Sequence, residues 1–305
     1  MPKILTTLLL TLCLSVGAAW AGDVEDGNAA LLRKDYATAL IKLKQAAEKN
    51  NSYAQLQVGG MYDEGLGVVQ DYAEAVRWWK LAAAQGNASA QNNLGIMYES
   101  GRGVTKNYAE AVRWYRLAAA QGYALAQHNL GFLYHNGQGV VQDYSEAVRW
   151  YRLAAAQGDV SAQLNIGTMY AEGQGVIQDY AEAVRWSRLA AAQGYALAQH
   201  NLGFLYYNGQ GVVQDYAEAG RWFRLAAAQG YASAQSNLGV MYDKGQGVVQ
   251  DYTRAHMWFN LAAVTGHANA VKGRDIIAKQ MTQQQIAEAQ KLARECQARN
   301  FKNCD

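Results

Sequence analysis

The chain repeats one segment of sequence many times, and this repetition limits the folds that it can adopt. The segment QGVVQDYSEAVRWYRLAAAQG (138–158) recurs with few changes between residues 66 and 230. Self-similarity at a fixed period of this size is typical of proteins built as linear arrays of one supersecondary unit. Aligning the chain with itself gives six units without a slip in register: 51–86, 87–122, 123–158, 159–194, 195–230 and 231–266.

Each unit of 36 residues predicts two helices. In ASAQNNLGIMYES (88–100), Ala90, Leu94 and Met97 fall on one apolar stripe at helical spacing. In YAEAVRWYRLAAAQG (108–122), apolar residues again follow a helical period, and a glycine ends the pattern. The array is therefore predicted to be all-α, with one helix-turn-helix in each unit.

The boundary between the two helices carries several signals. Gly101 and Gly103 supply loop conformations that other residues resist. Asn107, which is Asp in the other five units, is predicted to cap the second helix, and Glu110 to complete a reciprocal capping box with it.

Two residue types recur at fixed positions within the helices. Gly95 and its equivalents interrupt the first helix, which suggests close approach of the paired helix. One tryptophan position in the second helix is predicted to belong to the core rather than to a cofactor site, because tryptophan buries a large area. Its members are Trp78, Trp114, Trp150, Trp186, Trp222 and Trp258.

The two ends of the chain differ from the repeats. Residues 1–21 combine Lys3, a short apolar run and an Ala-Trp-Ala site, which predicts a signal peptide cleaved before Gly22 and an exported, periplasmic or secreted protein. Lipidation of Cys13 is not expected, because the residue before it is Leu12 and a lipoprotein signal needs a small residue there. Residues 22–50 are expected to form an abbreviated repeat that caps the array, and residues 267–305 to form capping helices and a tail.

Charge and hydropathy narrow the range of partners. The 27 Lys and Arg residues nearly balance the 25 Asp and Glu residues, and the signs interleave, so no electrostatic footprint for nucleic acid is expected. After the signal no apolar run reaches spanning length, so no integral membrane segment is expected in the mature chain.

Two cysteines remain after signal cleavage, Cys296 and Cys304. In an oxidising compartment they are predicted to form a disulfide. Eight residues on an unbroken helix would hold them about 12 Å apart. The helix is therefore expected to end near Asn300. The alternative is a pair of free thiols in a frayed tail.

The repeats resemble a known family. A-x-A-Q-x-N-L-G-x-M-Y, then G-x-G-V, then D-Y-A-E-A-V-R-W-Y-R-L-A-A-A-Q-G, are similar to the Sel1-like repeat, a relative of the tetratricopeptide repeat. The resemblance implies a right-handed α-solenoid whose concave face is lined by the first helices. It also implies a non-catalytic scaffold that binds a protein or an extended peptide.

Other function classes find little support in the sequence. Motifs such as His-Glu-x-x-His, Cys-x-x-Cys and Gly-x-Ser-x-Gly are missing, so no catalytic, cofactor or metal site is predicted. His128 and His135 share a helical face but would need a third ligand. The repeats lack the cysteines of the family's cysteine-rich branch, some of whose members are associated with penicillin-type ligands. A hydrolase, a β-lactam-binding protein and a structural envelope spacer remain as alternatives.

An asparagine recurs at one position of the first helix, although asparagine is a poor helix-interior residue. One hypothesis is a ladder of amides that binds the backbone of a peptide, beside varied residues that select its side chains. The other is that each asparagine ties its helix to the next repeat. The candidate binding residues are Asn93, Asn129, Asn165, Asn201, Asn237, His128, His200, Phe132, Phe204, Ile96, His135 and Tyr207.

Overall fold

The computed structural model describes residues 21–304, so residues 1–20 of the predicted signal peptide lie outside the described part. This part contains sixteen helices and no strand, which confirms the all-α class of helical repeat. It divides into two compact units at residues 121 and 122.

The first unit contains six helices. They are α1 (Ala21–Leu32), α2 (Tyr36–Glu48), α3 (Ser52–Glu64), α4 (Tyr72–Ala84), α5 (Ala88–Ser100) and α6 (Tyr108–Ala120).

The second unit contains ten helices. They are α7 (Ala124–Asn136), α8 (Tyr144–Ala156), α9 (Val160–Glu172), α10 (Tyr180–Ala192), α11 (Ala196–Asn208), α12 (Tyr216–Ala227), α13 (Ala232–Lys244), α14 (Tyr252–Ala263), α15 (Ala268–Ala278) and α16 (Gln283–Ala298). None of the helices within residues 21–304 is long and apolar enough to cross a bilayer.

The loop between paired helices depends on its two glycines. Gly101 ends α5 in the left-handed region, with φ of 75°. Gly103 also has a positive φ, of 68°, and a Cβ there would lie 2.3 Å from the Tyr72 carbonyl oxygen. Gly103 therefore supplies both the conformation and the space that let the loop rest on the start of α4.

The predicted capping box at the second helices is only half formed. The Asn107 side chain accepts from the backbone N–H groups of Ala109 and Glu110, at 3.0 and 3.2 Å. Glu110 does not return the bond, because the Asn107 N–H already donates to the Tyr98 carbonyl at 2.8 Å. Its carboxylate pairs with Arg113 at 3.1 Å instead. The predicted reciprocal capping box is therefore wrong at this helix, because the backbone hydrogen bond from Asn107 to Tyr98 already uses the N–H group that Glu110 would need.

The glycine inside each first helix receives an aromatic ring from its paired helix. A Cβ on Gly95 would lie 2.4 Å from the Tyr115 ring, and one on Gly203 would lie 2.8 Å from the Phe223 ring. Both rings are buried. The close approach predicted from the sequence is present, and it explains a residue that otherwise costs a helix about 1 kcal/mol.

The tryptophan position is less uniform than predicted. Trp78 and Trp258 are core residues, whereas the four tryptophans between them are half-buried. The preceding arginine lies over the indole, as where the guanidinium of Arg113 is 4.7 Å from the ring centroid of Trp114. In five of the six repeats a buried aromatic residue stands one position further on, where it faces the helical glycine, whereas the fourth repeat has Ser187 there.

Buried glutamines tie consecutive helices together. Gln163 donates to the Ala155 carbonyl at 3.3 Å and accepts from Gln193 at 3.0 Å. Gln199 makes the equivalent bonds to Ala191 and Gln229, at 3.3 and 2.9 Å. Because the amides of Gln163 and Gln199 each have a donor and an acceptor partner, they help to fix the spacing of the repeats at little cost in burying polar groups.

The C-terminal helix closes the second unit. Thr282 and Gln285 form the predicted capping box at the start of α16. The helix ends at Ala298, and Asn300 and Phe301 adopt positive φ values of 51° and 63°. This reversal brings the Cα atoms of Cys296 and Cys304 to 5.1 Å, and a disulfide joins the two residues in the structure. Cys296 and the neighbouring Phe301 belong to the core formed with α14.

Candidate functional site

The asparagines of the second unit lie on the first helix of each repeat, here called the first helices, which are α7, α9, α11 and α13. Asn129, Asn165, Asn201 and Asn237 are all half-buried. The row therefore lies at the margin between the core and the solvent.

Two of these asparagines contact a histidine of the preceding first helix. Asn165 Nδ2 lies 3.4 Å from His128 Nε2, and Asn237 Nδ2 lies 3.2 Å from His200 Nε2. Burial raises the pKa of the Tyr151 phenol, and the neighbouring Asn165 amide opposes that shift. These contacts are of the structural kind that the second hypothesis for the row describes.

The histidines pack among aromatic rings. His128 lies 5.7 Å from Tyr151 between ring centroids. His200 lies 5.7 Å from Phe223 and 5.1 Å from Tyr231. The pKa of His200 is lowered chiefly by burial, which outweighs its hydrogen bond to Asn201. At the equivalent position Asn92, Leu164 and Ser236 are buried, so this row mainly packs one helix on the next.

The phenylalanines face the solvent. Phe132 on α7 is 42% exposed and Phe204 on α11 is 48% exposed. Burying a large apolar ring that is exposed to water would stabilise a complex with a partner, and aromatic residues are enriched where proteins bind one another. Among the candidate residues of the second unit, these two are the most accessible.

The last two candidates of the second unit, His135 and Tyr207, lie at the end of α7 and α11. His135 meets Tyr144 and Tyr207 meets Tyr216, with ring centroids 5.2 and 5.1 Å apart. The Tyr207 hydroxyl donates to Gln246 at 2.5 Å. Both residues are half-buried, and their main contacts are with the paired second helix.

In the first unit the candidate residues line a concave site. Asn93 and Ile96 on α5 contribute to a pocket of about 230 Å³ that Leu56, Trp79 and Asp63 also line. Asp63 is 7% exposed, and its Oδ1 has no hydrogen-bond partner. Burial raises the pKa of the Asp63 carboxyl, and the nearby Arg102 opposes that shift.

Potential metal ligands are not clustered in the described part of the chain. Within residues 21–304 no three His, Cys, Asp or Glu side chains are grouped as a metal site requires. His128 and His135, which share a helical face in the sequence, contact different tyrosines, Tyr151 and Tyr144.

Sequence reasoning missed Asp63 and the ring-on-glycine packing. Asp63 occupies the repeat position of His135 and Tyr207, so comparing that position across all six units would have drawn attention to it. The signal for the packing was the recurrence of Gly95 and Tyr115 equivalents at a constant separation.

The repeated pairs of helices place the protein in the class of α-helical repeat proteins. The Sel1 repeat profile matches residues 52–87, 88–123, 124–159, 160–195, 196–231 and 232–263, and the chain belongs to the Sel1 repeat family. Sel1 repeat proteins generally act as protein-interaction scaffolds and are typically non-catalytic.

Two solved structures show the likeness. A Sel1 repeat protein from Oxalobacter formigenes is 36% identical, with a TM-score of 0.71 over 79% of this chain and 97% of that chain. A protective antigen present in uropathogenic Escherichia coli strains, which displays the same repeat fold, is 28% identical, with a TM-score of 0.50 over 92% of this chain and 85% of that chain. None of the curated proteins matches the chain.

Proposed function

We propose that the protein is an exported, non-catalytic scaffold that binds an extended peptide segment of a partner protein through the first helices of residues 122–304. The supporting observation is that Phe132 and Phe204 remain 42% and 48% exposed at one repeat position. The half-buried asparagines lie on the same helices, with amide groups that suit a peptide backbone. The two phenylalanines are the anchors in this proposal.

A peptide-display library tests the binding. Selection against the immobilised protein should yield peptides rich in apolar residues, since an exposed aromatic ring gains most from apolar contact. Changing Phe132 and Phe204 together to Ala should weaken the selected peptides by roughly tenfold or more.

The second helices offer a matched control. Leu153 on α8 and Leu189 on α10 are 43% and 44% exposed, close to the phenylalanines. Their double change to Ala should leave the affinity within about twofold if the first helices carry the site. Failure to select any peptide, or an equal loss in both variants, would count against the proposal.

Export is a separate part of the proposal, and it is supported by the signal-like sequence of residues 1–21. Expression of the full chain in a Gram-negative host, followed by fractionation, should place it outside the cytoplasm with Gly22 as its first residue. Retention of residues 1–21 on a cytoplasmic product would contradict export.

A further inference from the structure

The pocket of the first unit has an apolar wall and a charged end. Leu56, Trp79 and Ile96 supply apolar surface, and Asp63 and Arg102 lie at the charged end. Its volume of about 230 Å³ is smaller than the ~300–1,000 Å³ of pockets that hold drug-sized ligands. A cavity of this size suits a single side chain rather than a cofactor.

The Asp63 Oδ1 atom lacks a hydrogen bond, and the neighbouring repeat shows the reason. In the next repeat, Glu99 occupies the same position and accepts from the Tyr115 hydroxyl at 2.7 Å. The corresponding ring in the first repeat is Trp79, whose indole N–H donates to the Leu56 carbonyl at 3.1 Å. Trp79 therefore gives Asp63 no hydrogen bond, and Oδ1 is left without one.

Arg102 does not remove this deficit. Its Nη1 forms an ion pair with Asp63 Oδ1 at 3.9 Å, which is beyond hydrogen-bond distance. The guanidinium is held elsewhere, 5.3 Å above the Tyr72 ring and with Nε 3.3 Å from Ser100 Oγ. A buried carboxylate with an oxygen left without a hydrogen bond is costly, so this site favours a ligand whose positive charge offsets that cost.

The sign of the charge selects the donor. Asp63, Glu64 and Arg102 are the charged residues that line the pocket, two negative and one positive, which leaves a net charge of −1. An acidic ligand would meet two carboxylates, whereas a cationic one would pair with Asp63. A low-dielectric apolar wall strengthens either effect.

We infer that this pocket binds a lysine side chain of a peptide, with the aliphatic stem along Leu56, Trp79 and Ile96 and the ammonium group paired with the Asp63 carboxylate. The inference rests on the proposed function only in that the lysine belongs to a protein partner. Lysine fits better than arginine because a compact ammonium group can pair with one oxygen of a carboxylate, while a guanidinium is suited to bidentate pairing. Lysine also buries its methylene stem readily while its charge is paired.

Small probes test the pocket without any protein partner. The purified protein would be titrated with N-acetyl-lysine methylamide and with its norleucine counterpart, which keeps the stem and lacks the ammonium. The indole N–H signal of Trp79, a pocket residue, reports binding by nuclear magnetic resonance. The lysine probe should bind roughly tenfold more tightly than the norleucine probe, as expected for a charge-assisted hydrogen bond.

Three variants sharpen the test. Asp63→Asn should abolish the preference for lysine, and Arg102→Gln should strengthen lysine binding because it removes a competing positive charge. Asp243→Asn changes the same repeat position outside the pocket and should have no effect. Circular dichroism melts verify that each variant is folded, and Arg102→Gln keeps the inference testable if Asp63→Asn is not.

The opposite results would overturn the inference. They are equal binding of the norleucine probe, tighter binding of an N-acetyl-glutamate methylamide probe, or an unchanged preference in the Asp63→Asn variant. The peptide-display experiment on Phe132 and Phe204 is independent, so a failure there would refute the proposed function and leave this result to be judged by itself.

Discussion

The amide nitrogen Nδ2 of Asn237 lies 3.2 Å from Nε2 of His200, a residue 37 positions earlier on the preceding first helix. An amide nitrogen only donates, so the imidazole Nε2 must accept and His200 must be neutral in this arrangement. Its Nδ1 then carries the proton and lies 3.3 Å from the Asn201 Oδ1. The contact between Asn237 and His200 therefore requires a neutral imidazole with its proton on Nδ1.

The first prediction concerns the asparagine row. Changing Asn165 and Asn237 together to Ala should destabilise the second unit by about 1–3 kcal/mol for each buried partner left unpaired. Urea denaturation followed by circular dichroism measures the change. A double variant with an unchanged midpoint and unchanged peptide affinity would contradict both hypotheses for the row, whereas weakened peptide binding with an unchanged midpoint would favour the amide ladder.

The second prediction is a pH dependence carried by His200. Burial lowers its folded pKa below the ordinary value of 6.5, so the unfolded chain binds protons more readily than the folded one. Stability is therefore full above pH 6.5 and falls as the pH drops from 6.5 toward the lowered pKa. The groups that face the ring are Phe223, Tyr231, Asn201, Asn237 and, through its charge, His267.

Thermal melts between pH 7.5 and 5 measure this effect. A His200→Gln variant keeps a polar side chain that does not titrate, and its melting temperature should depend less on pH than that of the wild type. Identical pH profiles for the two proteins would show that His200 does not carry the effect.

The third prediction concerns the helical glycines. Gly95→Ala should destabilise the first unit by about 1–3 kcal/mol, because the added Cβ would lie 2.4 Å from the Tyr115 ring and force it to move. Gly60 offers a matched control on α3, since a Cβ there meets nothing within 4 Å. Gly60→Ala should be neutral or stabilising by up to ~1 kcal/mol.

A graded version of the same experiment uses the second unit. At Gly203 a Cβ would meet the Phe223 ring at 2.8 Å, whereas at Gly167 it meets the small Ser187 Oγ at 3.0 Å. Because a hydroxyl rotates away more easily than a ring, Gly167→Ala should cost less than Gly203→Ala. Equal melting temperatures for all of these glycine variants would mean that ring contact is not why glycine stands at this position.

The fourth prediction concerns Cys296 and Cys304. Intact mass of the protein isolated under oxidising conditions should increase by two hydrogens on reduction, as expected for one disulfide. Reduction should lower the stability of the C-terminal end by about 2–3 kcal/mol, the chain-entropy value for so short a loop. A Cys296→Ser, Cys304→Ser variant should melt like the reduced wild type. Two free thiols in the oxidised preparation would refute the bond.

Much of the fold could be predicted from the sequence because its causes are local. The glycines around residue 101, the cap at Asn107 and the apolar stripe through Leu94 each act within a few residues, and six copies of the same pattern reinforce the reading. The capping box at Thr282 is local in the same sense and is present. The same repeated motifs were sufficient to predict membership of the Sel1 repeat family, which the family profile confirms.

Other features could not be predicted, because they depend on which of several neighbouring groups makes a hydrogen bond in the folded protein. Glu110 has the right spacing for a capping box, but the Asn107 N–H already donates to the carbonyl of Tyr98 on the paired helix α5. Glu99 and Asp63 are carboxylates at one repeat position, but a tyrosine hydroxyl reaches the former, while the Trp79 indole N–H is used by the Leu56 carbonyl. Sequence periodicity places side chains on a face, whereas competition between neighbouring helices for hydrogen bonds determines which of them remain available to a partner.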